Sequence, residues 1–159
     1  MSAALQPGDK APDFALPSDD GGDIRLADLR GQTVVLYFYP KDDTSGCTSE
    51  AKGFTEAQAD FDVIGAVVVG VSKDSVKSHG KFRQKYGLSV RLGSDVEGEM
   101  IERYGVWVEK SMYGRKYMGI ERATFLIDSE GVIRQLWRKV SVTGHVQAVL
   151  TAARGLKAK

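Results

Sequence analysis

The sequence predicts an α/β fold, a mixed central sheet with helices packed on both faces. Three observations carry this expectation. Thr33 to Tyr39 is a continuous β-branched and aromatic run and Ala66 to Val71 a second, valine-rich one, the pattern of strands buried on both faces. Between them, apolar residues recur at helical spacing, which makes a β-α-β unit. Later, two strand-like segments flank Ser129-Glu130-Gly131 and precede a closing amphipathic stretch, so an antiparallel pair joins the parallel one.

Taken in order, the first thirty residues are punctuated by Pro7-Gly8, Pro12, Pro17 and Asp20-Gly21-Gly22. Such turn signals around short apolar pieces predict an N-terminal β-hairpin with strands at residues 13–16 and 23–26. The first buried strand, 33–39, is stopped by Pro40. After a loop at 41–44, Phe54, Ala57, Phe61 and Ile64 mark a helix from about residue 45 to 60. The second strand covers 66–71, and an amphipathic helix over 76–86 ends at Gly87. A short helix at 98–104, strands at 124–128 and 132–137, and a final helix at about 144–156 complete the chain. Trp107, Met112, Tyr113 and Met118 surround Lys110, Arg115 and Lys116 with little periodicity, which reads as a loop, either a mobile one lining a substrate mouth or a packed one. No repeat, low-complexity run or linker divides residues 1–159, so one domain is expected.

Composition excludes several classes of function. With 22 basic and 21 acidic residues in 159, no net field draws nucleic acid or an anionic membrane. Met1 to Lys10 lacks the apolar core of a signal peptide, and the longest apolar stretch, 63–71, is too short to span a bilayer. A cytoplasmic protein is the expectation. The chain has one cysteine, Cys47, and so neither an internal disulfide, a C-x-x-C pair nor a thiolate zinc site. His79 and His145 stand far apart with no neighbouring acidic cluster, and each is expected on the polar face of a helix. No metal and no cofactor is expected.

The chemistry concentrates where the first buried strand gives way to a helix, at Pro40-Lys41-Asp42-Asp43-Thr44-Ser45-Gly46-Cys47-Thr48-Ser49-Glu50. Carboxyl ends of strands are where α/β folds place ligands. With Thr44 as N-cap, Cys47 becomes the third helical residue, near unpaired N–H groups and the positive end of the helix dipole, which favours the thiolate. A free cysteine with a pKa near ~8.5 is only a few per cent ionised at neutral pH. Bringing it to about 6 takes roughly 3.4 kcal/mol, whereas a helix end supplies about 0.3–2 kcal/mol, so a fixed cation is also required. Arg122 is the candidate, because Gly119 to Phe125 leads into a core strand and can place a guanidinium at the same sheet end. An attack that expels an anionic leaving group would further need donors aimed at that group. Thr44, the Cys47 N–H and Arg122 can supply them. Pro40, which has no N–H, walls the sulfur from water.

Pro40-x-x-x-Thr44-x-x-Cys47 resembles the active-site motif of the peroxiredoxins, and Arg122 matches the arginine that completes it. The wider pattern, from Gly8-Asp9-Lys10-Ala11-Pro12-Asp13-Phe14 through Val69-Gly70-Val71-Ser72 to Gly119-Ile120-Glu121-Arg122, is similar to the Q-type, or bacterioferritin comigratory, subfamily over nearly the whole chain. The resemblance implies a thioredoxin-like fold and a thiol-dependent peroxidase acting on hydrogen peroxide and organic hydroperoxides. It also implies Cys47 as the attacking group, Thr44 and Arg122 positioning the peroxide, and Glu50 orienting the arginine. Where many members carry a second, resolving cysteine, this chain has Lys52 and Arg83. The consequence is a one-cysteine cycle with an external thiol as reductant, whether thioredoxin, glutaredoxin or a small thiol, and with a monomer expected and a dimer as the alternative.

Other readings of the lone cysteine are a redox sensor that recruits a partner, a thiol–disulfide exchanger and a cysteine hydrolase. The exchanger lacks its C-x-x-C. The hydrolase has no histidine near Cys47 in sequence and depends on His79 or His145 approaching it in space.

Overall fold

The computed structural model describes residues 4–157. An N-terminal hairpin pairs β1 (Ala15–Pro17) with β2 (Asp23–Arg25) in antiparallel register. The chain then enters β3 (Thr33–Phe38), α1 (Ser45–Glu56), α2 (Gln58–Val63), β4 (Ala66–Ser72), α3 (Val76–Tyr86) and β5 (Arg91–Ser94). After α4 (Glu99–Arg103) come β6 (Trp107–Met112), β7 (Arg115–Ile120), β8 (Ala123–Ile127), β9 (Ile133–Trp137) and α5 (His145–Lys157). The central sheet has the order β5-β4-β3-β8-β9, parallel on one side of β3 and antiparallel on the other. This is a thioredoxin-like α/β fold with an N-terminal hairpin. None of the described helices is long and apolar enough to cross a membrane.

Alternation along β3 divides the core in two, because successive side chains point to opposite faces. Val34, Leu36 and Phe38 join Leu16, Ile24, Ile101, Tyr104 and Phe125 beneath the hairpin and α4. Val35, Tyr37 and Tyr39 join Phe54, Phe61, Phe82, Val149 and Leu150 from α1, α2, α3 and α5. Each large side chain buried in this way contributes about 1.5–3 kcal/mol. Tyr37 lies so close to β4 that a Cβ on Gly70 would stand 2.7 Å from its ring, so only glycine fits there.

The structure departs from the sequence-based expectations in four places. The helix expected over 45–60 is broken at Ala57 into α1 and α2. β5 was not expected, since Arg91-Leu92-Gly93-Ser94 has one large apolar residue, and its strand conformation comes from parallel pairing with β4. The loop expected around Trp107 to Met118 is a second hairpin, β6–β7, joined by Tyr113-Gly114, with φ of 52° and 76°. Positive φ at both positions is the two-residue turn that suits strand twist, but Tyr-Gly is not the usual signature. Last, neither histidine lies on a polar face: His79 is wholly buried and His145 nearly so.

The end of the sheet is shaped by a strand extension and a register. Tyr39 extends β3 by donating to Val71 O at 3.1 Å, and then Pro40 turns the chain out of the sheet. In the β3–β8 pair Phe38 stands opposite Ala123, so Arg122, just before β8, is level with the point where the chain leaves β3 for α1.

Candidate active site

Cys47 is the third residue of α1 and only 1% exposed. Thr44 holds the N-cap position in an extended conformation, but its hydroxyl makes no cap bond to the helix. It donates instead to Lys41 O at 2.8 Å, leaving its lone pairs free to accept. The half-buried Pro40 closes the strand end of the same turn.

Arg122 joins two groups from α1. Its Nη2 lies 3.4 Å from Cys47 Sγ, and its Nη1 donates to Glu50 Oε1 at 2.7 Å. Gly46 makes the approach possible, since a Cβ there would meet the guanidinium at 3.1 Å. The β3–β8 register thus brings together residues 75 apart in sequence. Pro40, Thr44, Cys47, Glu50 and Arg122 all lie at this one sheet end. The second oxygen of Glu50, Oε2, is buried without a partner.

Burial pushes Glu50 up from its usual 4.5 to about 7, although the Arg122 charge and hydrogen bond pull the other way. The folded state therefore binds more protons than the unfolded one between these values. Stability from this group is complete below about 4.5 and gone above about 7. Compared with Glu50→Gln, the native protein should lose urea resistance as pH rises through that window. A constant difference between the two midpoints from pH 4.5 to 8 would refute this.

Beside Arg122 opens a cleft of 330 Å³, lined by Val108, Lys110, Glu121, Lys139 and Val140. Lys110 is half-buried there, its pKa lowered by burial first and by the Arg122 charge second. A larger hollow, 410 Å³, lies at the opposite end of the sheet from Cys47, beside Gly31, Gly65 and Asp128.

Neither histidine serves Cys47. His79 Nδ1 stands 2.8 Å from Asp42 Oδ2 and its Nε2 3.0 Å from Gly93 O. His145 Nε2 meets Thr124 Oγ1 at 2.7 Å. Burial, then the Arg122 charge, presses His145 down to about 4, so it is neutral at pH 7. The arrangement needed for a cysteine hydrolase, an imidazole hydrogen-bonded to the thiol, is not made by these two residues. Asp42, Asp74 and His79 place ligand-type atoms within 4.8 Å of one another, but Tyr39, Ser78 and Ser72 already donate to those carboxylates. This is a hydrogen-bonded cluster. Sequence reasoning missed it, because Asp42 and His79 are 37 residues apart and no spacing rule links them.

The guanidinium beside the sulfur has N–H groups to offer to an oxygen bound there. A carboxylate behind the arginine fixes its plane. The arrangement can attack an electrophile small enough to reach a residue that is only 1% exposed.

Residues 7–136 match the AhpC/TSA family. A putative peroxiredoxin bcp of Coxiella burnetii is 54% identical over 92% of this chain and 97% of its own. Peroxiredoxin Bcp of Bacillus subtilis is 45% identical over 98% and 99%. Among solved structures, Xanthomonas campestris peroxiredoxin Q superposes with a TM-score of 0.86 at 44% identity, covering 91% of each chain. A cysteine-to-serine mutant of Xylella fastidiosa PrxQ superposes with 0.91 at 37% identity, covering 98% and 99%.

Proposed function

Because the chain belongs to the AhpC/TSA family, as a one-cysteine peroxiredoxin of the Q type, we propose that Pro40, Thr44, Glu50 and Arg122 form the site in which Cys47 works. The protein is a thiol-dependent peroxidase and Cys47 is its peroxidatic cysteine. The observation that carries the wider reading is Arg122, bound at once to Cys47 Sγ and to Glu50.

In this reading the Cys47 thiolate attacks the terminal oxygen of ROOH, forming an S–O bond as the O–O bond breaks. Sulfur is oxidised to the sulfenic acid and the peroxide is reduced to RO⁻, which takes a proton from water to leave as ROH. Arg122 stabilises the charge that grows on the departing oxygen. Thr44 Oγ1, already donating to Lys41 O, accepts from the peroxide O–H. Pro40 keeps water from the sulfur, and Glu50 is a positioning residue that acts through Arg122.

Recycling takes two external thiols. The first condenses with the sulfenic acid, releasing water and leaving a mixed disulfide. The second displaces Cys47 and carries the disulfide away. Thioredoxin, glutaredoxin and a small thiol all fit this scheme. Hydrogen peroxide and organic hydroperoxides are both substrates in this reading. An alkyl peroxide reduction activity is named for the Xanthomonas campestris bacterioferritin comigratory protein, a structure 43% identical to this chain. We further propose a single domain over residues 1–159, acting in the cytoplasm as a monomer, in keeping with a lone reduced thiol.

Stopped-flow mixing of reduced protein with hydrogen peroxide or an alkyl hydroperoxide tests this. Trp137, whose ring lies 5.7 Å from that of His145, reports changes near the site. A second-order rate several orders of magnitude above that of a free thiol is expected, with one oxygen added at Cys47 by mass spectrometry and no reaction in Cys47→Ser. A rate like that of a free thiol with both peroxides would favour the sensor reading instead.

A further inference from the structure

The loop that carries Thr44 and Cys47 is fastened to α3 by a buried cluster that the peroxide chemistry does not use. The Asp42 carboxylate accepts from the Tyr39 hydroxyl at 2.6 Å and the Ser78 hydroxyl at 2.8 Å, and it faces His79 Nδ1 at 2.8 Å. The Asp42 N–H donates to Asp74 at 2.8 Å, and Ser72 donates to the same carboxylate oxygen at 2.6 Å. One residue further on, Asp43 sits at a φ of 60° and accepts from Lys85 at 2.8 Å and Tyr86 at 2.6 Å, both at the end of α3.

A neutral imidazole has one N–H and one lone pair. In His79 both ring nitrogens face acceptors, the Asp42 carboxylate and the Gly93 carbonyl on β5. A neutral ring would turn its lone pair against one of them. The ring is wholly buried, so no water from bulk solvent is on hand to relieve the clash. Against an ionised Asp42, only an imidazolium satisfies both contacts.

We propose that His79 is a positioning residue, a buried imidazolium whose pair with Asp42 latches residues 41–44 to α3 and so holds Cys47 in its reactive place. The groups around the ring are Tyr39 and Asp42 from the segment after β3, Ser72 at the end of β4 and Asp74 just beyond it, Ser78 on α3, and the Gly93 carbonyl on β5. Burial opposes the charge, while Asp42, Gly93 and Asp74 favour it and prevail, raising the pKa of the ring. The charge on the ring is therefore complete below its ordinary 6.5 and is lost as pH rises through the raised value.

The latch bears on the two halves of the cycle in opposite directions. A closed loop keeps Thr44, Cys47 and Arg122 aligned for the peroxide. At 1% exposure the same closed loop hides the sulfur from any thiol carried by a second protein, so recycling by such a partner requires the first turn of α1 to open. This consequence rests on the peroxidase reading. The charge and the latching do not.

Nuclear magnetic resonance of the ¹⁵N-labelled native protein tests the charge without any turnover. Two slowly exchanging ring N–H protons are expected for His79 at pH 6.5. A single ring N–H there, with the second nitrogen unprotonated, would overturn the proposal. Amide exchange of residues 43–48, corrected for intrinsic rates, tests the latch. Between pH 6 and 9 the opening equilibrium of the native protein should rise by about tenfold for each unit by which the pair raises the ring's pKa. His79→Gln and Asp42→Asn should open more readily at pH 6 and lose this part of the pH dependence. Glu50 titrates in the same range, but its contribution remains in both variants and cancels in the comparison. An opening equilibrium as protected and as pH-dependent in His79→Gln as in the native chain would overturn the latch. If neither variant folds, an opening equilibrium independent of pH in the native protein would do so. A charged, latched ring in a protein that fails the stopped-flow test would refute the site roles and leave the latch standing.

Discussion

Replacing Arg122 with alanine should lower the second-order rate constant of Cys47 with hydrogen peroxide by about 10²–10³-fold, the range seen when one aimed donor is removed from a site of developing negative charge. The substitution removes the cation 3.4 Å from the sulfur and, in the proposed site, the N–H groups that would meet the departing oxygen. It also strands Glu50, which is wholly buried and has one oxygen already unpartnered. Breaking a buried pair costs about 3–5 kcal/mol when the remaining charge has no escape. Glu50 does have one: burial has brought it up to about 7, so it takes a proton, and the stability loss at pH 6 should fall short of that range. Arg122→Lys should recover only part of the rate, because a point charge cannot keep one N–H on Glu50 and another on the sulfur in one plane. Stopped-flow fluorescence gives the rate and urea unfolding the stability. A rate within threefold of the native one would place the activation of Cys47 elsewhere.

Phe54→Ala should reduce unfolding free energy by about 3–5 kcal/mol, as large-to-small changes at filled aromatic sites do. Phe54 is fully buried on α1, seven residues after Cys47 and so on the same helix face. Its ring stacks on Tyr37 at 4.8 Å between centroids and touches Phe61 at 5.9 Å and His145 at 6.4 Å. Those three neighbours belong to β3, α2 and α5, so a hole at Phe54 loosens four elements at once. The urea midpoint should drop with little change in slope. A loss under 1 kcal/mol would mean that the surrounding side chains collapse into the space.

The difference between what could be read early and what could not tracks the range of each interaction. β3 and β4 were legible because an apolar strand run is a property of six or seven consecutive residues. β5 was not, because Arg91 to Ser94 become a strand only by pairing with β4. The β6–β7 hairpin escaped for a related reason: most of its residues are exposed, so no burial pattern marks its strands, and its Tyr113-Gly114 turn carries an uncommon dipeptide.

The site divides along the same line. Pro40, Thr44, Cys47 and Glu50 fall within eleven residues, and the strand-to-helix transition that places the cysteine in the first turn of α1 is itself local, so the sequence by itself determined the nucleophile and its helix end. Arg122 was singled out by resemblance and by its place before a core strand, but its contact with Cys47 depends on the antiparallel register that sets Phe38 against Ala123. The burial of His79 and its grip on Asp42 were decided by tertiary structure alone, since the acceptors on either side of the ring come from the loop after β3 and from β5. Helical spacing reports which residues share a face. Whether a polar residue on that face meets water or a buried carboxylate depends on what packs against it.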